Sequence, residues 1–272
     1  MVPASAVARG HGCLNIVVAS YNIHRCIGTD GRYDALRVVE VLREIGPDIV
    51  ALQEVENRGD HSHESLQLEF LAQSLRCQPI PGLRLVRHWT EYGNALLTRF
   101  PILDVQRHNI SVTLREPRGA LDVTLDIEGQ PLRVLATHLG LGRIERRFQT
   151  MQLAKLIDDG DPALPCLVLG DMNEWFPGSR HLAWLHKRLG KTTLAPSFPS
   201  RWPLLTLDRL WLRPANALVS LGIHRSARAR VASDHLPLCG RIDSNALRIA
   251  SAGSGSVDSR PLPAGDAGPA GG

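Results

Sequence analysis

The sequence predicts a layered α/β fold, and three observations lead to this prediction. Near the amino terminus, short apolar runs alternate with an amphipathic segment, which is the pattern of a strand–helix–strand unit. Between residues 80 and 127 the pattern changes to short strands separated by Gly and Pro, which favours antiparallel pairing. The chain has 272 residues, a length that α/β enzymes often reach as a single domain.

Composition restricts the class of protein further. Hydrophobic residues make up 43% and charged residues 21% of the chain, which is ordinary for a soluble globular protein. The net charge of +4 comes mostly from arginine, and it is compatible with a polyanionic partner without demonstrating one. Because the sequence has no secretory signal and no apolar run of about 18 residues, we expect a cytoplasmic monomer without a transmembrane segment.

The cysteines form neither a disulfide framework nor a thiolate zinc motif. No two of them are in a Cys-x-x-Cys pair, and they are widely spaced: Cys13, Cys26, Cys77, Cys166 and Cys239. Reduced thiols are therefore expected.

The first strand–helix–strand unit ends each of its strands in a polar residue. A β-branched run over residues 14–20 leads to Asn22, and a second apolar run over residues 48–52 leads to Glu54. The helix between them is predicted from a cap, an apolar stripe and a terminator. These are Asp34, then Leu36, Val39, Leu42 and Ile45, then Gly46.

The middle of the chain predicts a helix and then a series of strands. A polar loop over residues 57–64 contains His61 and His63, and a solvated loop is favoured over a metal site there. A helix is expected over residues 65–76. Strands are expected over residues 92–99, 105–114, 119–127 and 132–136, of which 119–127 alternates as a half-exposed strand does. The last of these strands leads to His138, after a tight turn at Gly129-Gln130.

The carboxyl-terminal half contains a basic helix and three further strands. The helix is expected over residues 142–158, with arginines around an apolar set that includes Ile144, Phe148, Met151 and Ile157. A buried strand over residues 165–169 then ends in Gly170-Asp171-Met172-Asn173. A helix over 178–189, a proline-rich loop over 196–203, and strands over 205–212 and 236–242 complete the prediction.

The chain is expected to contain one folded domain between two loose ends. Residues 1–13 are predicted to be flexible and residues 14–243 to form the domain. Residues 244–272 are rich in Gly, Ala, Ser and Pro, and are predicted to be disordered.

Polar side chains stand at the ends of several predicted buried strands. They are Asn22, Glu54, His138, Asp171 with Asn173, Asp208, and Asp234 with His235. Since ligands of layered α/β proteins bind where strand ends gather, we expect these residues to form one site. A carboxylate within an apolar strand, as predicted for Asp208, is costly unless it is paired or bound to a metal.

The types of residue in this set favour a hard cation and phosphoryl chemistry. Carboxylate and amide oxygens suit Mg²⁺ or Mn²⁺, and the histidines lack the spacing of a zinc motif. Such histidines are suited to carry protons or to donate to a negative group. Phosphoryl transfer needs this combination, because charge on the phosphate oxygens must be neutralised and a water must be aimed in line.

Seven short motifs also occur in the order of one known superfamily. They are Tyr21-Asn22-Ile23-His24, Gln53-Glu54-Val55, Gly93-Asn94-Ala95-Leu96-Leu97-Thr98-Arg99, Thr137-His138-Leu139, Gly170-Asp171-Met172-Asn173, Leu207-Asp208-Arg209-Leu210 and Ser233-Asp234-His235. Through them, residues 14–242 resemble the endonuclease/exonuclease/phosphatase superfamily of DNase I-like and exonuclease III-like enzymes, inositol polyphosphate phosphatases and sphingomyelinases. The resemblance implies a four-layered α/β sandwich, with two mixed β-sheets face to face and helices outside.

The resemblance also implies a role for each motif residue in a metal-dependent phosphoesterase. The implied ligands of Mg²⁺ or Mn²⁺ are Asn22, Glu54 and Asp234. The implied contacts to the phosphate are Arg118, His138 and Asn173. Asp171 would orient or deprotonate the attacking water, while Asp208 would fix the tautomer of His235 and keep it charged.

The motifs define the reaction and leave the substrate open. A nucleic-acid phosphodiester is favoured by the basic balance, by the arginine-rich helix and by Trp175 and Phe176, which are able to stack on bases. A phospholipid or inositol phosphate headgroup is the alternative, with hydrophobic loop tips around residues 198–202 touching a membrane. A non-catalytic phosphate-binding module is disfavoured, because none of Glu54, Asp171, Asp208 and His235 is missing.

Overall fold

The chain folds into two β-sheets with helices on their outer faces, in a computed structural model that describes residues 15–57, 66–83, 85–87, 90–176 and 178–247. The predictions for residues 1–13, for the loop with His61 and His63 and for residues 248–272 lie outside these ranges. In chain order the strands are β1 (Asn15–Asn22), β2 (Ile49–Asn57), β3 (Gln78–Pro81), β4 (Leu85–Arg87), β5 (Thr90–Thr98), β6 (Ile102–Asn109), β7 (Gly119–Ile127), β8 (Gln130–His138), β9 (Cys166–Asp171), β10 (Asp208–Arg213), β11 (Leu218–Ile223) and β12 (Leu238–Asp243). The helices are α1 (Ala35–Ile45), α2 (Gln67–Leu75), α3 (Arg143–Asp158), α4 (Leu182–Leu189) and α5 (Ala229–Ala232).

Both sheets are mixed. The first contains seven strands in the order β11-β12-β1-β2-β5-β3, with β4 beside β5, and the second contains five in the order β10-β9-β8-β7-β6. β1 pairs with β2 in parallel, as β8 does with β9, and the other strand pairs of the described residues are antiparallel. Each parallel pair is joined through a segment that contains a helix, as parallel strands require.

The core consists of three buried clusters that separate four layers. Alternate residues of β1 and β8, such as Ile16 and Val134, belong to the cluster between the sheets. The intervening residues point away from it, because successive side chains of a strand face opposite sides. Tyr21 packs in the cluster with α1, α2 and α5, and Leu135 packs in the cluster with α3 and α4. The predicted four-layered sandwich is therefore confirmed.

Helix α1 shows which local predictions hold. The Asp34 side chain accepts a hydrogen bond from the backbone N–H of Arg37, and Gly46 ends the helix in the left-handed conformation with φ 63°. The predicted apolar stripe is shifted, however, because Leu36 is half exposed and Val38 and Val41 are buried instead.

Strand β7 is buried on both faces, so the prediction of a half-exposed strand over residues 119–127 was wrong. Asp122 is almost fully buried, and the Arg133 guanidinium donates to its carboxylate at 2.6 and 3.0 Å. The same guanidinium donates to the carbonyl of Leu156 on α3. The helix layer thus replaces water as the partner of the polar side chains on this face of the sheet.

Several residues of the predicted apolar set of helix α3 face solvent instead of the core. Ile144 and Met151 are exposed, whereas Arg146 and Gln149 are buried. The reason is local: Arg146 donates to the carbonyl of Leu141 at 2.5 Å, and Gln149 accepts from the N–H of Gly140 at 2.8 Å. Two polar side chains of the helix therefore hold the loop that follows β8.

Several boundaries differ from those predicted. The sequence pattern did not reveal β11, β6 stops at Asn109, and β10 begins at Asp208 rather than at residue 205. Residues 244–247 of the predicted tail form a helical turn. The Leu247 side chain of this turn is fully buried in the cluster between the sheets. The domain of the described residues thus extends beyond residue 243.

The described ranges contain neither a disulfide nor a helix able to span a membrane. The four cysteines there form no disulfide. No helix of the described residues has the length and apolarity needed to cross a bilayer. The cytoplasmic location and the monomeric state stay predictions.

Candidate active site

The predicted site residues gather at one edge of the sandwich, where strands of both sheets meet. Strands β1, β2, β8 and β9 bring to this edge Asn22, Glu54, His138 and Asp171. Strands β7, β10 and β12 run antiparallel to their neighbours and begin at the same edge, next to Arg118, Asp208 and His235. Asp208 lies at the first position of β10 and pairs in register with Asp171.

The Asp171 carboxylate lies at the centre of this group and is 1% exposed. Its Oδ1 accepts a hydrogen bond from the backbone N–H of Asn173 at 2.8 Å, and its Oδ2 accepts one from Asn22 Nδ2 at 3.1 Å. The Nε2 atoms of His138 and His235 lie 3.5 and 3.6 Å from the same Oδ2. One oxygen is thus fixed by the backbone, and the other faces both histidines.

The turn that presents Asp171 depends on a close approach between two backbone segments. Gly170 has a φ of 149°, and a Cβ atom there would lie 1.9 Å from the carbonyl oxygen of Thr137. Asn173 adopts a left-handed φ of 48°, and its Nδ2 donates to the carbonyl of Leu139 at 2.8 Å. Asparagine tolerates this backbone conformation better than most residues.

His235 is held as a charged imidazole by its neighbours. Its Nδ1 lies 2.9 Å from Asp208 Oδ2, which also accepts a hydrogen bond from Ser197 Oγ at 2.5 Å. Burial disfavours the charged ring, but the carboxylates of Asp208 and Asp171 outweigh burial and raise the pKa of His235 to about 10. The aromatic ring of Phe198 packs against the imidazole with a centroid distance of 4.9 Å.

His138, by contrast, is held as a neutral imidazole. Burial, followed by repulsion from Arg118, lowers its pKa to about 3, although Asp171 acts in the other direction. Asn173 Nδ2 lies 3.0 Å from His138 Nε2. Nε2 accepts in this arrangement, since an amide nitrogen only donates. Donation from Nε2 to a phosphate requires this contact to break, and that role of His138 stays a prediction.

Glu54 and Asn22 form a second, oxygen-rich part of the site. The pairing of β2 with β5 shifts register between Leu52 and Val55, and Glu54 has a left-handed φ of 58° within this irregularity. Asn22 Nδ2 donates to Glu54 Oε1 at 3.3 Å. Burial raises the pKa of Glu54, against the hydrogen bond from Asn22, and the negative charge of Asp234 raises it further.

These oxygens fit a divalent cation. The carboxylates of Glu54 and Asp234 are hard ligands, and a bound cation would offset both the burial and the repulsion by Asp234 that raise the pKa of Glu54. Asn22 would add its Oδ1, which here accepts a hydrogen bond from the His24 N–H at 3.1 Å while its Nδ2 faces Glu54 and Asp171. Ligand atoms of Asp171, Asp208 and His235 also lie within 4.8 Å of one another. In that group both ring nitrogens face carboxylates, which is the arrangement of a protonated imidazole, so the contacts are satisfied without an ion.

Arg118 is buried beside the site, before β7. Its Nη2 donates to Glu116 Oε2 at 3.1 Å, and its Nε has no hydrogen-bond partner among the described residues. A buried donor without a partner is costly. The predicted contact of Arg118 with the phosphate stays a prediction, and this nitrogen is a donor suited to it.

Two buried residues of this region were missed from the sequence. Glu174 accepts hydrogen bonds from the Phe176 N–H and Ser179 Oγ, both at 3.0 Å, and its Oε2 lies 2.5 Å from His181 Nε2. An acid directly after Asn173 was an available signal for Glu174. No signal pointed to Ser197, because its bond to Asp208 closes a proline-rich loop whose path the sequence does not define.

Comparison with known proteins establishes the family. A sequence profile described as the Endonuclease/Exonuclease/phosphatase family matches residues 19–235, and the chain belongs to this family. It is 31% identical over 245 residues to the protein YbhP of Escherichia coli (strain K12), an alignment that covers 83% of this chain and 95% of the relative. The resemblance inferred from the motifs is confirmed.

Solved structures with low sequence identity share the fold. An endonuclease/exonuclease/phosphatase from Bacteroides vulgatus aligns with a TM-score of 0.68 and 18% identity, over 85% of this chain and 99% of that one. D. rerio TDP2 in complex with a single-strand DNA product aligns with a TM-score of 0.64 and 17% identity, over 85% and 99%. Members of the family are phosphoesterase hydrolases that generally depend on divalent metal ions and act on phosphodiester substrates such as DNA.

Proposed function

We propose that this protein is a Mg²⁺-dependent phosphodiesterase that hydrolyses its substrate by in-line attack of a water molecule. The observation that carries the proposal is the Asp171 carboxylate, with one oxygen fixed by the Asn173 N–H and the other facing His138 and His235. A buried carboxylate held in this way is placed to accept a proton at one defined atom.

Each neighbour of Asp171 then has a defined task. Asp171 Oδ2 orients the attacking water and takes its proton. His235 stabilises the negative charge on the phosphate oxygens, because Asp208 keeps its imidazole protonated. Asn173 would donate to the phosphate from Nδ2 once the contact of this atom with His138 breaks, and Arg118 offers its unpaired Nε.

Asn22, Glu54 and Asp234 would hold the cation. Mg²⁺ fits this set of oxygen ligands, and Mn²⁺ shares the same ligand preference. When bound, the cation supplies positive charge against the phosphate and the leaving oxygen.

Two classes of phosphodiester are candidates for the substrate. A nuclease activity is supported by the net positive charge and by D. rerio TDP2, a fold relative whose structure contains a single-strand DNA product. A phospholipid or inositol phosphate headgroup is supported by apolar side chains exposed beside the site. Both classes require the same hydrolytic chemistry.

The chemistry is tested with bis(p-nitrophenyl) phosphate, a small diester that belongs to neither class. We expect turnover with Mg²⁺, loss of turnover in EDTA and recovery when Mg²⁺ is restored. Glu54→Gln is expected to lower turnover at limiting Mg²⁺ by roughly 10- to 100-fold, because it removes a charged ligand. Glu69→Gln, on the exposed face of α2, is the matched control. Full turnover in EDTA would refute the metal dependence.

A further inference from the structure

Large apolar side chains are exposed on four segments that border the active site. We call this set the apolar rim, and its members are Leu114, Leu141, Ile144, Trp175, Phe176, Trp202 and Leu204. Single exposed apolar residues are normal on a protein surface, whereas a concentration at one place marks an interaction surface.

The chain itself places the apolar rim at the site. Leu114 precedes Arg118 by four residues, Leu141 follows His138 by three, and Trp175 follows Asn173 by two. Trp202 and Leu204 belong to the loop before Asp208. That loop is fixed over the site, because the N–H of Ser200 donates to the carbonyl of Asp234 at 2.6 Å and Phe198 packs on His235.

Exposure within the apolar rim is extreme. The relative exposure is 99% for Leu114, 84% for Ile144, 78% for Leu204 and 76% for Trp202. Leu114 also has a φ of 62°, in the left-handed region that bulky side chains avoid. Folding buries none of this side chain, so Leu114 keeps its whole apolar surface for contact with a partner.

Exposed arginines accompany each part of the apolar rim. They are Arg115, Arg143, Arg147, Arg180 and Arg201. A cleft of about 1210 Å³ beside α3 is lined by three of them, together with Ile144 and Phe176. The partner is therefore anionic as well as apolar.

The chemistry of the apolar rim favours a membrane over a nucleic acid. Single-stranded nucleic acids bind through basic groups and aromatic faces, and aliphatic side chains offer no face on which a base stacks. Four of the seven rim residues, Leu114, Leu141, Ile144 and Leu204, are aliphatic, so stacking on bases accounts only for the three aromatic ones. An interface with anionic lipids uses aliphatic side chains, tryptophan and arginine together.

We propose that the apolar rim docks the protein on an anionic phospholipid bilayer, and that the site hydrolyses a phosphodiester in the headgroup of a phospholipid there. The proposal rests on the phosphodiesterase function for its catalytic part. Its docking part stands on the exposed residues alone.

Docking is tested by flotation of the full chain with vesicles of equal parts phosphatidylglycerol and phosphatidylcholine, and with phosphatidylcholine alone. Wild type should float with the anionic vesicles. The double variant Trp202→Ser/Leu204→Ser should lower the partition coefficient at least about tenfold, since apolar area supplies the binding. The matched control Leu103→Ser/Val219→Ser removes two apolar side chains, 57% and 60% exposed, on β6 and β11 away from the rim. It should change partition less than about twofold.

The outcomes separate the docking claim from the hydrolytic one. Wild type that does not float, or a rim variant that is folded by its thermal midpoint and floats as wild type does, overturns docking. If wild type binds oligonucleotides but not vesicles, and the rim variant loses the oligonucleotide binding, membrane docking is overturned in favour of a nucleic acid.

Headgroup release from the vesicles supports the lipid substrate. Absence of this release, while bis(p-nitrophenyl) phosphate is hydrolysed, refutes the lipid substrate. No turnover of that small diester refutes the phosphodiesterase itself, and flotation still decides docking.

Discussion

At the scale of single residues, the two histidines beside Asp171 have opposite charge states. The pKa of His235 is raised to about 10, chiefly because Asp208 and Asp171 outweigh its burial, whereas burial lowers that of His138 to about 3. Groups whose environments separate their pKa values in this way are typical of acid–base sites. Asp171 therefore lies between one permanent cation and one neutral ring at neutral pH.

Replacing Asp208 should reverse the state of His235. In Asp208→Asn the pKa of His235 is expected to fall, because the largest attraction on the charged ring is removed. The measurement is an NMR titration of the His235 ring in EDTA. Asp104→Asn, an exposed position on β6, is the control and should leave the titration unchanged. A wild-type His235 that titrates near 6.5 would show that the Asp208 contact does not act as described.

The same shift sets a dependence of stability on pH. The folded pKa of about 10 exceeds the ordinary histidine value of 6.5, so protonation of His235 stabilises the folded state fully below pH 6.5. This contribution is lost as the pH rises through 10. We expect the free energy of unfolding in denaturant to fall over this range in wild type, and to fall less in Asp208→Asn.

Most site residues were predictable because each occupies a motif at the end or start of a strand. Asn22, Asp171 and His235 were identified in this way, and the structure brings them together. Glu174 was overlooked although it directly follows Asn173. Ser197 was not identified, because its role comes from a bond that joins the proline-rich loop to Asp208. The acceptor role of His138 Nε2 was hidden for the same reason, since it depends on where Asn173 places its amide.

At the scale of elements, the active-site turn depends on how closely β8 and β9 approach. Gly170 lies opposite Thr137 in the parallel pair, and its missing side chain makes room for the Thr137 carbonyl. The sequence predicted the turn from its glycine and asparagine. It could not show the outward face of α3 or the burial of β7, because both follow from polar side chains that find buried partners.

Gly170→Ala should therefore destabilise the whole fold. We expect a loss of about 3–5 kcal/mol in the free energy of unfolding, because the new Cβ meets a backbone carbonyl and the φ is unfavourable. Chemical denaturation followed by circular dichroism measures the loss. Gly222→Ala on β11, where a Cβ meets open space, should stay within about 1 kcal/mol of wild type. Equal stability of the two variants would contradict the close approach.

At the scale of the whole molecule, the site exists only where the two sheets meet. The first sheet supplies Asn22 and Glu54, the second supplies Asp171 and Asp208, and His235 reaches across from the segment before β12. The layer order was predictable from the family motifs. Of the apolar rim, the sequence indicated a membrane contact near residues 198–202 and a stacking role for Trp175 and Phe176, whereas exposure of the other members depends on how α3 and the loops pack.

The most direct test of the central claim is hydrolysis of bis(p-nitrophenyl) phosphate by Asp171→Asn in the presence of Mg²⁺. The substitution keeps the shape of the side chain and removes the proton acceptor. We predict a fall in kcat of roughly 100- to 10,000-fold with little change in KM, while the thermal midpoint stays near that of wild type. Asp104→Asn should keep wild-type turnover. An Asp171→Asn protein that hydrolyses the diester at the wild-type rate would contradict the account.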